Sequence, residues 1–293
     1  MRCFVTVVAL TLSVVGLAYG GGNPEPRLID FEDYVTQYPF MSYQGVPKTF
    51  DTEFEWPEGY RRVDSTDLTD FQYWVSYMPL WGTARPVGAP NKGLVYRPEE
   101  ITRAYNLPWR TVAFYDNIIP YQLLVEYQLA NGSWYDFKVA PVSGDTMTFK
   151  RWLEGRVVYS ASDSLYFIPA DPREATEDEF NRFFSMVGRN TDYLSLSRNC
   201  DSVADSDVLP GDLLIGRSER GDEGRVYIVA CVLVNDEGEK LYGVATGCPD
   251  GCDLHIPLFN GRRDYPWITM ETLKELIPEE LTRKGFFRLK TGK

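Results

Sequence analysis

Hydrophobic positions recur at helical spacing through the first two thirds of the chain. Leu68, Phe71, Trp74, Val75 and Met78 form one such stripe, which begins at Asp67 and ends at Pro79. The same spacing predicts further helices over residues 120–130, 148–153, 176–187 and 191–204. The third of these opens with Thr176-Glu177-Asp178-Glu179, the pattern of a capping box, and we expect Gly188 to end it.

After residue 204 the pattern changes to that of β-strands. Apolar runs predict strands at 213–215, 226–234, 241–246, 254–258 and 286–289, with one further helix at 269–276. Asn235-Asp236-Glu237-Gly238 is typical of a hairpin turn between two of them. The order of elements predicts an α+β fold, in which N-terminal helices pack on a C-terminal antiparallel sheet, with residues 56–293 as a single domain.

The first twenty residues have the pattern of a signal peptide. A charged start, Met1-Arg2, precedes an apolar run from Cys3 to Leu17, and Ala18-Tyr19-Gly20 has the small-x-small form of a cleavage site. A membrane anchor is the alternative, but the run is short for a span and a glycine-rich linker follows it. We therefore expect residues 1–20 to be removed and the protein to be periplasmic, on the cell surface or secreted. Residues 21–55 are expected to form an extended N-terminal arm, and no later segment is apolar enough to be a transmembrane segment of the mature protein.

Composition and charge exclude two classes of partner. The chain is 44% hydrophobic, which is ample for a core, and its formal net charge is -12. Such a chain repels phosphate backbones and anionic lipid surfaces, so we predict neither nucleic acid nor peripheral membrane binding.

Four cysteines follow the predicted cleavage site, which in an oxidising compartment favours up to two disulfides. Cys200, Cys231, Cys248 and Cys252 allow three pairings, and Cys248 and Cys252 could close directly across the turn between them. The alternative is a metal knuckle, which one Cys-x3-Cys and the single histidine support only weakly. We predict no metal site and no cofactor.

One hairpin resembles the papain-like cell-wall peptidases of the NlpC/P60 type. Leu209-Pro210-Gly211-Asp212 leads into one strand, and Gly224-Arg225-Val226 begins the next. In the family that the hairpin resembles, the second strand begins with Gly-His, and this histidine is the general base for a cysteine nucleophile. Arg225 stands at that position, and an arginine does not accept a proton from a thiol. The resemblance therefore implies a degenerate papain-like fold without its base.

A wider set of motifs is similar to a bacterial exported family known as domain of unknown function 4846. The motifs lie at residues 58–63, 71–80, 149–156, 180–197 and 211–255, and the resemblance covers about residues 55–290. It implies a bacterial envelope or secreted protein and carries no activity. The hairpin pattern of that family is similar to Pro-Gly-His-Ala-x-x-Val-x-Asp, from which this chain departs at Arg225 and Cys231.

Candidate chemistry is sparse. Cys200, expected on a helix, and His255 are the candidate catalytic pair, although a structural role for each is the more common one. Glu126, the acid within an otherwise apolar helix, is expected at the solvated edge of that helix, and the alternative is a general acid. We expect Asp212 to fix the turn before its strand.

Arg225 begins an apolar strand, so its charge should reach solvent or pair with Asp212, Glu223 or Asp253, and it could bind an anionic ligand.

Aromatic residues on predicted loops are the other functional signal. Trp81, Trp109 and Trp134 could stack on sugars or enter a partner's surface, and the alternative is that they hold the loops to the core. Together these observations favour a non-catalytic binding or assembly component whose partner is an envelope protein or a cell-wall glycan. A cell-wall or polysaccharide hydrolase of papain-like ancestry is the alternative.

Overall fold

A large antiparallel sheet forms the centre of the molecule. The computed structural model describes residues 48–81, 86–89, 93–107, 115–131, 133, 137–259 and 261–291. Their strands are β1 (Arg61–Arg62), β2 (Val87–Ala89), β3 (Gly93–Tyr96), β4 (Ile101–Ala104), β5 (Lys138–Val139), β6 (Met147–Thr148), β7 (Gly155–Tyr159), β8 (Leu165–Pro169), β9 (Cys200–Val203), β10 (Asp212–Arg217), β11 (Gly224–Val234), β12 (Lys240–Thr246), β13 (His255–Pro257), β14 (Trp267–Ile268) and β15 (Arg283–Leu289).

The strand order across this sheet is β4-β13-β12-β11-β10-β15-β9, and β1 and β14 extend it beside β11 and β12. Three hairpins or strand pairs, β2-β3, β5-β6 and β7-β8, lie outside it. Helices come mostly from the first two thirds of the chain and the sheet mostly from the last third, so the predicted α+β class is confirmed.

The α-helices of the described residues are α1 (Phe50–Glu53), α2 (Asp70–Ser76), α3 (Ile119–Ala130), α4 (Phe149–Glu154), α5 (Glu177–Asn190), α6 (Tyr193–Arg198) and α7 (Met270–Glu275). The predicted stripe of α5 is confirmed, because Phe180, Phe183, Phe184 and Val187 all lie in the core. Among these residues, no helix has both the length and the apolar character needed to cross a bilayer.

The capping box predicted for α5 is only half formed. The hydroxyl of Thr176 accepts the N–H of Glu179, as expected. The carboxylate of Glu179 does not return the bond; it accepts from the indole of Trp152 and from Arg173 and Arg182 instead. The helix also continues past Gly188 to Asn190. The carboxylate of Glu179, which the local sequence assigns to the cap, therefore bonds to Trp152 of α4 and to the two arginines instead.

The sheet separates two apolar layers. Val226, Ile228 and Cys231 of β11 belong to the larger layer, which contains the buried faces of α2, α3 and α5. Val229 and Val232 belong to the smaller layer, which contains Leu273 of α7. A bulge between Val229 and Cys231 changes the alternation of the strand, so that Ala230 and Cys231 both join the larger layer.

Two predicted elements differ from the structure. The helix expected over 191–204 ends at Arg198, and residues 200–203 form β9, which pairs with Leu289 to Phe286 of β15. Pairing with a distant strand therefore overrides the local helical pattern. The predicted extended arm is described only from Lys48 onward. There α1 forms a helical turn, and its Phe50 and the Phe54 that follows it are buried in the core. The predicted signal peptide lies outside the described residues.

The prediction for Glu126 was also wrong. Its side chain is fully buried, and the side-chain amide of Gln122 donates to it at 2.9 Å. Helix α3 has buried residues on every side, from Tyr121 to Glu126 without interruption, so it has no solvated edge there.

Candidate binding site at the start of strand β11

The turn before β10 is held by a buried ion pair. Gly211 adopts a left-handed conformation (φ 85°), which glycine reaches without strain. The carboxylate of Asp212 then accepts the backbone N–H of Leu209 at 2.9 Å and hydrogen bonds from Nε and Nη2 of Arg288 at 2.7 and 2.8 Å. Burial raises the pKa of Asp212, and the hydrogen bonds from Arg288 oppose that shift. Asp212 fixes the turn, and Arg288, not Arg225, is its partner.

Arg225 is placed at the start of β11 with its charge available. It is half-buried, lies opposite Gly216 of β10, and shares a face of the strand with Tyr227. Within the described part of the chain, the guanidinium makes no ion pair and no hydrogen bond. The expected pairing with Asp212 or Glu223 is therefore wrong, and so is the pairing with Asp253. The charge that Arg225 does influence is that of Asp116, whose ionised form it favours.

Asp116 is the centre of a buried polar group that sequence reasoning missed. We define the Asp116 cluster as Asp116, Tyr193, Arg225 and the backbone of Val226. The Tyr193 hydroxyl donates to one carboxylate oxygen at 2.6 Å, and the N–H of Val226 donates to the other at 3.3 Å. The side chain is 1% exposed.

Burial raises the pKa of Asp116 to about 6, although the bonds from Tyr193 and Val226 and the charge of Arg225 all favour its ionised form. The carboxyl group therefore changes charge near neutral pH. A weak acid of this kind in contact with a tyrosine hydroxyl is typical of functional sites and also occurs in structural networks.

Local geometry explains why a carboxylate lies there. Strand β12 ends at Thr246, opposite Tyr227, so the next residue of β11, Val226, lies beyond its last partner. The carboxylate of Asp116 accepts the free N–H of Val226, and the Thr246 hydroxyl donates to the carbonyl oxygen of Val226 at 2.8 Å. The side chains thus complete a ladder that the backbone leaves open.

Two glycines allow these groups to approach. A Cβ at Gly224 would lie 2.5 Å from the ring of Tyr193, and a Cβ at Gly247 would overlap the side chain of Ile119. The sequence signal that could have found Asp116 is an acid inside the otherwise apolar stretch that begins α3.

The two candidate catalytic residues are far apart. Cys200 begins the edge strand β9, and His255 lies on β13 near the other edge of the sheet. Five inter-strand spacings of about 4.8 Å separate these strands, which amounts to roughly 24 Å. Burial raises the pKa of the Cys200 thiol to about 12, so it is protonated at neutral pH. The two groups do not form a nucleophile and base pair.

His255 has a local environment of its own. Its Nδ1 lies 2.9 Å from the carbonyl oxygen of Asp253, an acceptor, which requires Nδ1 to carry the proton. Burial lowers the pKa of His255. The centroid of its ring lies 5.1 Å from that of Tyr96, a residue of the β2-β3 hairpin. Tyr96 remains 36% exposed, so this edge of the sheet carries an aromatic surface above a neutral imidazole.

The cysteines form one disulfide among the described residues. Cys248 and Cys252 are bonded to each other, as the short turn predicted, while Cys200 and Cys231 are free and buried. The disulfide leaves no free thiolate at Cys248 or Cys252 for the alternative metal knuckle. The backbone carbonyl of Cys248 accepts the N–H of Asp116 at 3.1 Å, so the disulfide loop is attached to the Asp116 cluster.

Cys231 does not lie beside Arg225. The bulge in β11 places Cys231 in the larger apolar layer, whereas Arg225 shares the opposite face with Tyr227. The two departures from the family's hairpin pattern are therefore separate in space.

Of the predicted loop tryptophans, Trp81 is partly buried and packs against the small apolar cluster that contains Ile101 and the disulfide. Trp109 and Trp134 lie outside the described residues.

Comparison with protein families identifies the chain. Residues 50–284 match the family described as domain of unknown function 4846, and the chain therefore belongs to that family. Comparison with curated proteins found no match, and comparison with solved structures found none either.

Proposed function

We propose that this protein is an exported, non-catalytic binding or assembly component of the bacterial envelope, built on a degenerate papain-like domain. Its ligand site is the start of β11. Arg225 lies there at the position of the catalytic histidine in the papain-like peptidases that the hairpin resembles. The partner is an envelope protein or a cell-wall glycan that presents a carboxylate.

The separation of Cys200 from His255 carries this proposal. A thiol and an imidazole catalyse together only within hydrogen-bond reach, and these two lie on strands near opposite edges of the sheet. The thiol is buried and protonated, and the imidazole donates to the backbone carbonyl of Asp253. Both therefore have structural roles.

Arg225 supports a binding role because its fixed charge forms no ion pair and no hydrogen bond with the described residues. A guanidinium offers planar, paired donors that match a carboxylate. The side chain is half-buried and shares a strand face with Tyr227, so a bound carboxylate would be shielded in part from water.

The test compares binding and cleavage in one set of variants. Purified peptidoglycan is incubated with wild-type protein, with Arg225→Gln and with Arg220→Gln, which removes the same charge from the exposed turn of the same hairpin. We expect sedimentation with peptidoglycan, at least tenfold weaker for Arg225→Gln and unchanged for Arg220→Gln, and no soluble fragments. Cleavage by the wild type that disappears in Cys200→Ala would establish the hydrolase alternative.

Export has its own measurement. Expression of the full chain in a bacterial host should yield protein outside the cytoplasm whose intact mass lacks about twenty residues. Retention of Met1 to Gly20 in the exported protein would indicate an anchor instead.

A further inference from the structure

A second surface, away from β11, has the features of a ligand site. Two adjoining depressions, of about 590 and 540 Å³, lie between the outer face of α5 and the β7-β8 hairpin, and both are lined by Tyr159 and Arg189. We call this surface the hairpin groove and define it by Trp152, Tyr159, Asn181, Arg182, Ser185 and Arg189. It shares no residue with the Asp116 cluster.

Arg189 supplies a free positive charge at the junction of the two depressions. Its side chain is exposed, and it forms neither an ion pair nor a hydrogen bond with any residue that the structure describes. Arg182, two helical turns earlier, is paired with Glu179 at 3.1 Å and is less available. The two depressions are also lined by the carboxylates of Asp178 and Asp163, which can accept hydrogen bonds from sugar hydroxyls, whereas the Arg189 guanidinium between them can pair with a carboxylate of the ligand.

Tyr159 supplies a flat apolar surface next to that charge. Its side chain is 52% exposed, and its hydroxyl accepts a hydrogen bond from the side-chain amide of Asn190 at 3.1 Å. The bond ties the ring to the end of α5 and leaves its face open. A held, exposed ring of this kind suits stacking against the C–H face of a sugar.

The geometry favours a glycan over a peptide. Peptides that add to hairpins pair with a free strand edge through main-chain hydrogen bonds. The hairpin groove instead uses side chains: Val157 and Tyr159 from one face of β7, and Asn181 and Ser185 from α5. Amides and hydroxyls both donate and accept, as sugar hydroxyls require. We propose that the hairpin groove binds an oligosaccharide that carries carboxylates, with Arg189 on a carboxylate and Tyr159 under a sugar ring.

The experiment measures affinity for defined probes. Isothermal titration uses a hexamer of galacturonic acid, soluble peptidoglycan glycan strands with free lactyl carboxylates, the methyl ester of the hexamer as the uncharged match, and an oligoglutamate peptide. We expect binding of at least one acidic glycan, at least tenfold weaker binding of the ester, and no binding of the peptide.

The variants assign the binding to the groove. Arg189→Ala and Tyr159→Ala should each weaken binding at least tenfold. Arg156→Ala removes an equal charge from β7, at an exposed position on its other face, and should leave the affinity unchanged. Circular dichroism and thermal melting establish that each variant is folded.

Several results overturn the proposal: no binding of either acidic glycan, equal binding of the ester, preference for the peptide, or an equal loss in Arg156→Ala. A loss of binding in Arg225→Gln without any loss in Arg189→Ala would overturn the hairpin groove and leave the start of β11 as the binding site. The proposed role of Arg225 and that of the hairpin groove can therefore fail separately.

Discussion

The buried carboxyl group of Asp116 makes a quantitative prediction about stability and pH. Its pKa rises from 3.8 to about 6 on folding, because burial favours the neutral form. The native state therefore holds this proton more tightly than the unfolded state. The resulting stabilisation is complete below about pH 3.8 and is lost as pH rises through about 6. At about 1.4 kcal/mol per pKa unit, the contribution changes by about 3 kcal/mol across that range.

The variant Asp116→Asn isolates this contribution. An amide keeps an oxygen that can accept from Tyr193 and does not titrate, so any cost of its mismatch with the N–H of Val226 is the same at every pH. The difference in free energy of unfolding, variant minus wild type, should therefore rise by about 3 kcal/mol from about pH 3.5 to about pH 7.

Urea denaturation at closely spaced pH values, followed by tryptophan fluorescence, measures this difference. Asp171→Asn removes an exposed carboxylate and is the control for net charge. A difference that stays constant within about 1 kcal/mol, or that falls with pH, would show that folding does not raise the pKa of Asp116. Burial would then not be the dominant influence on this carboxyl group.

Three further predictions concern packing and reactivity. Arg288→Met should lower the free energy of unfolding by about 3 kcal/mol in urea titrations at pH 7, because it leaves a buried carboxylate unpaired while Arg288 itself is about one third exposed. Gly224→Ala should lower the free energy of unfolding by about 1 to 3 kcal/mol, since its Cβ meets the ring of Tyr193. Gly285→Ala, whose Cβ has no atom closer than 3.6 Å, should lower it by less than about 1 kcal/mol. Equal melting temperatures of the two variants would contradict this prediction. Cys200 should not react with maleimide in the native protein at pH 7 and should react in urea, and rapid native labelling read by mass spectrometry would show that the thiol is accessible.

The elements that sequence predicted well are those with local signals. The strands from β10 to β12 are apolar runs with a turn between the last two, and α5 has a capping residue and an aromatic stripe. Their position in the chain was enough to predict the α+β class.

The predictions that were wrong depend on distant partners. Residues 200–203 have a helical pattern, yet they form a strand because β15 supplies the backbone hydrogen bonds of that strand. The partner of Asp212 is Arg288, which is 76 residues away. The Asp116 cluster joins residues up to 110 positions apart, and no spacing along a sequence reports such a contact.

The insertion of β15 between β10 and β9 sets an order on folding during synthesis. The hairpins from β10 to β12 pair with neighbours in sequence and can form as soon as they emerge. β9 is made before all of them, but among the described strands it pairs only with β15, whose residues follow roughly 80 positions later. At about 5 to 20 residues per second, β9 waits on the order of 4 to 16 s for its partner.

During that interval both β9 and the outer edge of β10 have open hydrogen-bonding groups. Unpaired strand edges are templates for pairing with another chain. A chain that stops before Arg283 would keep both edges permanently, so we expect such fragments to aggregate while the intact chain does not.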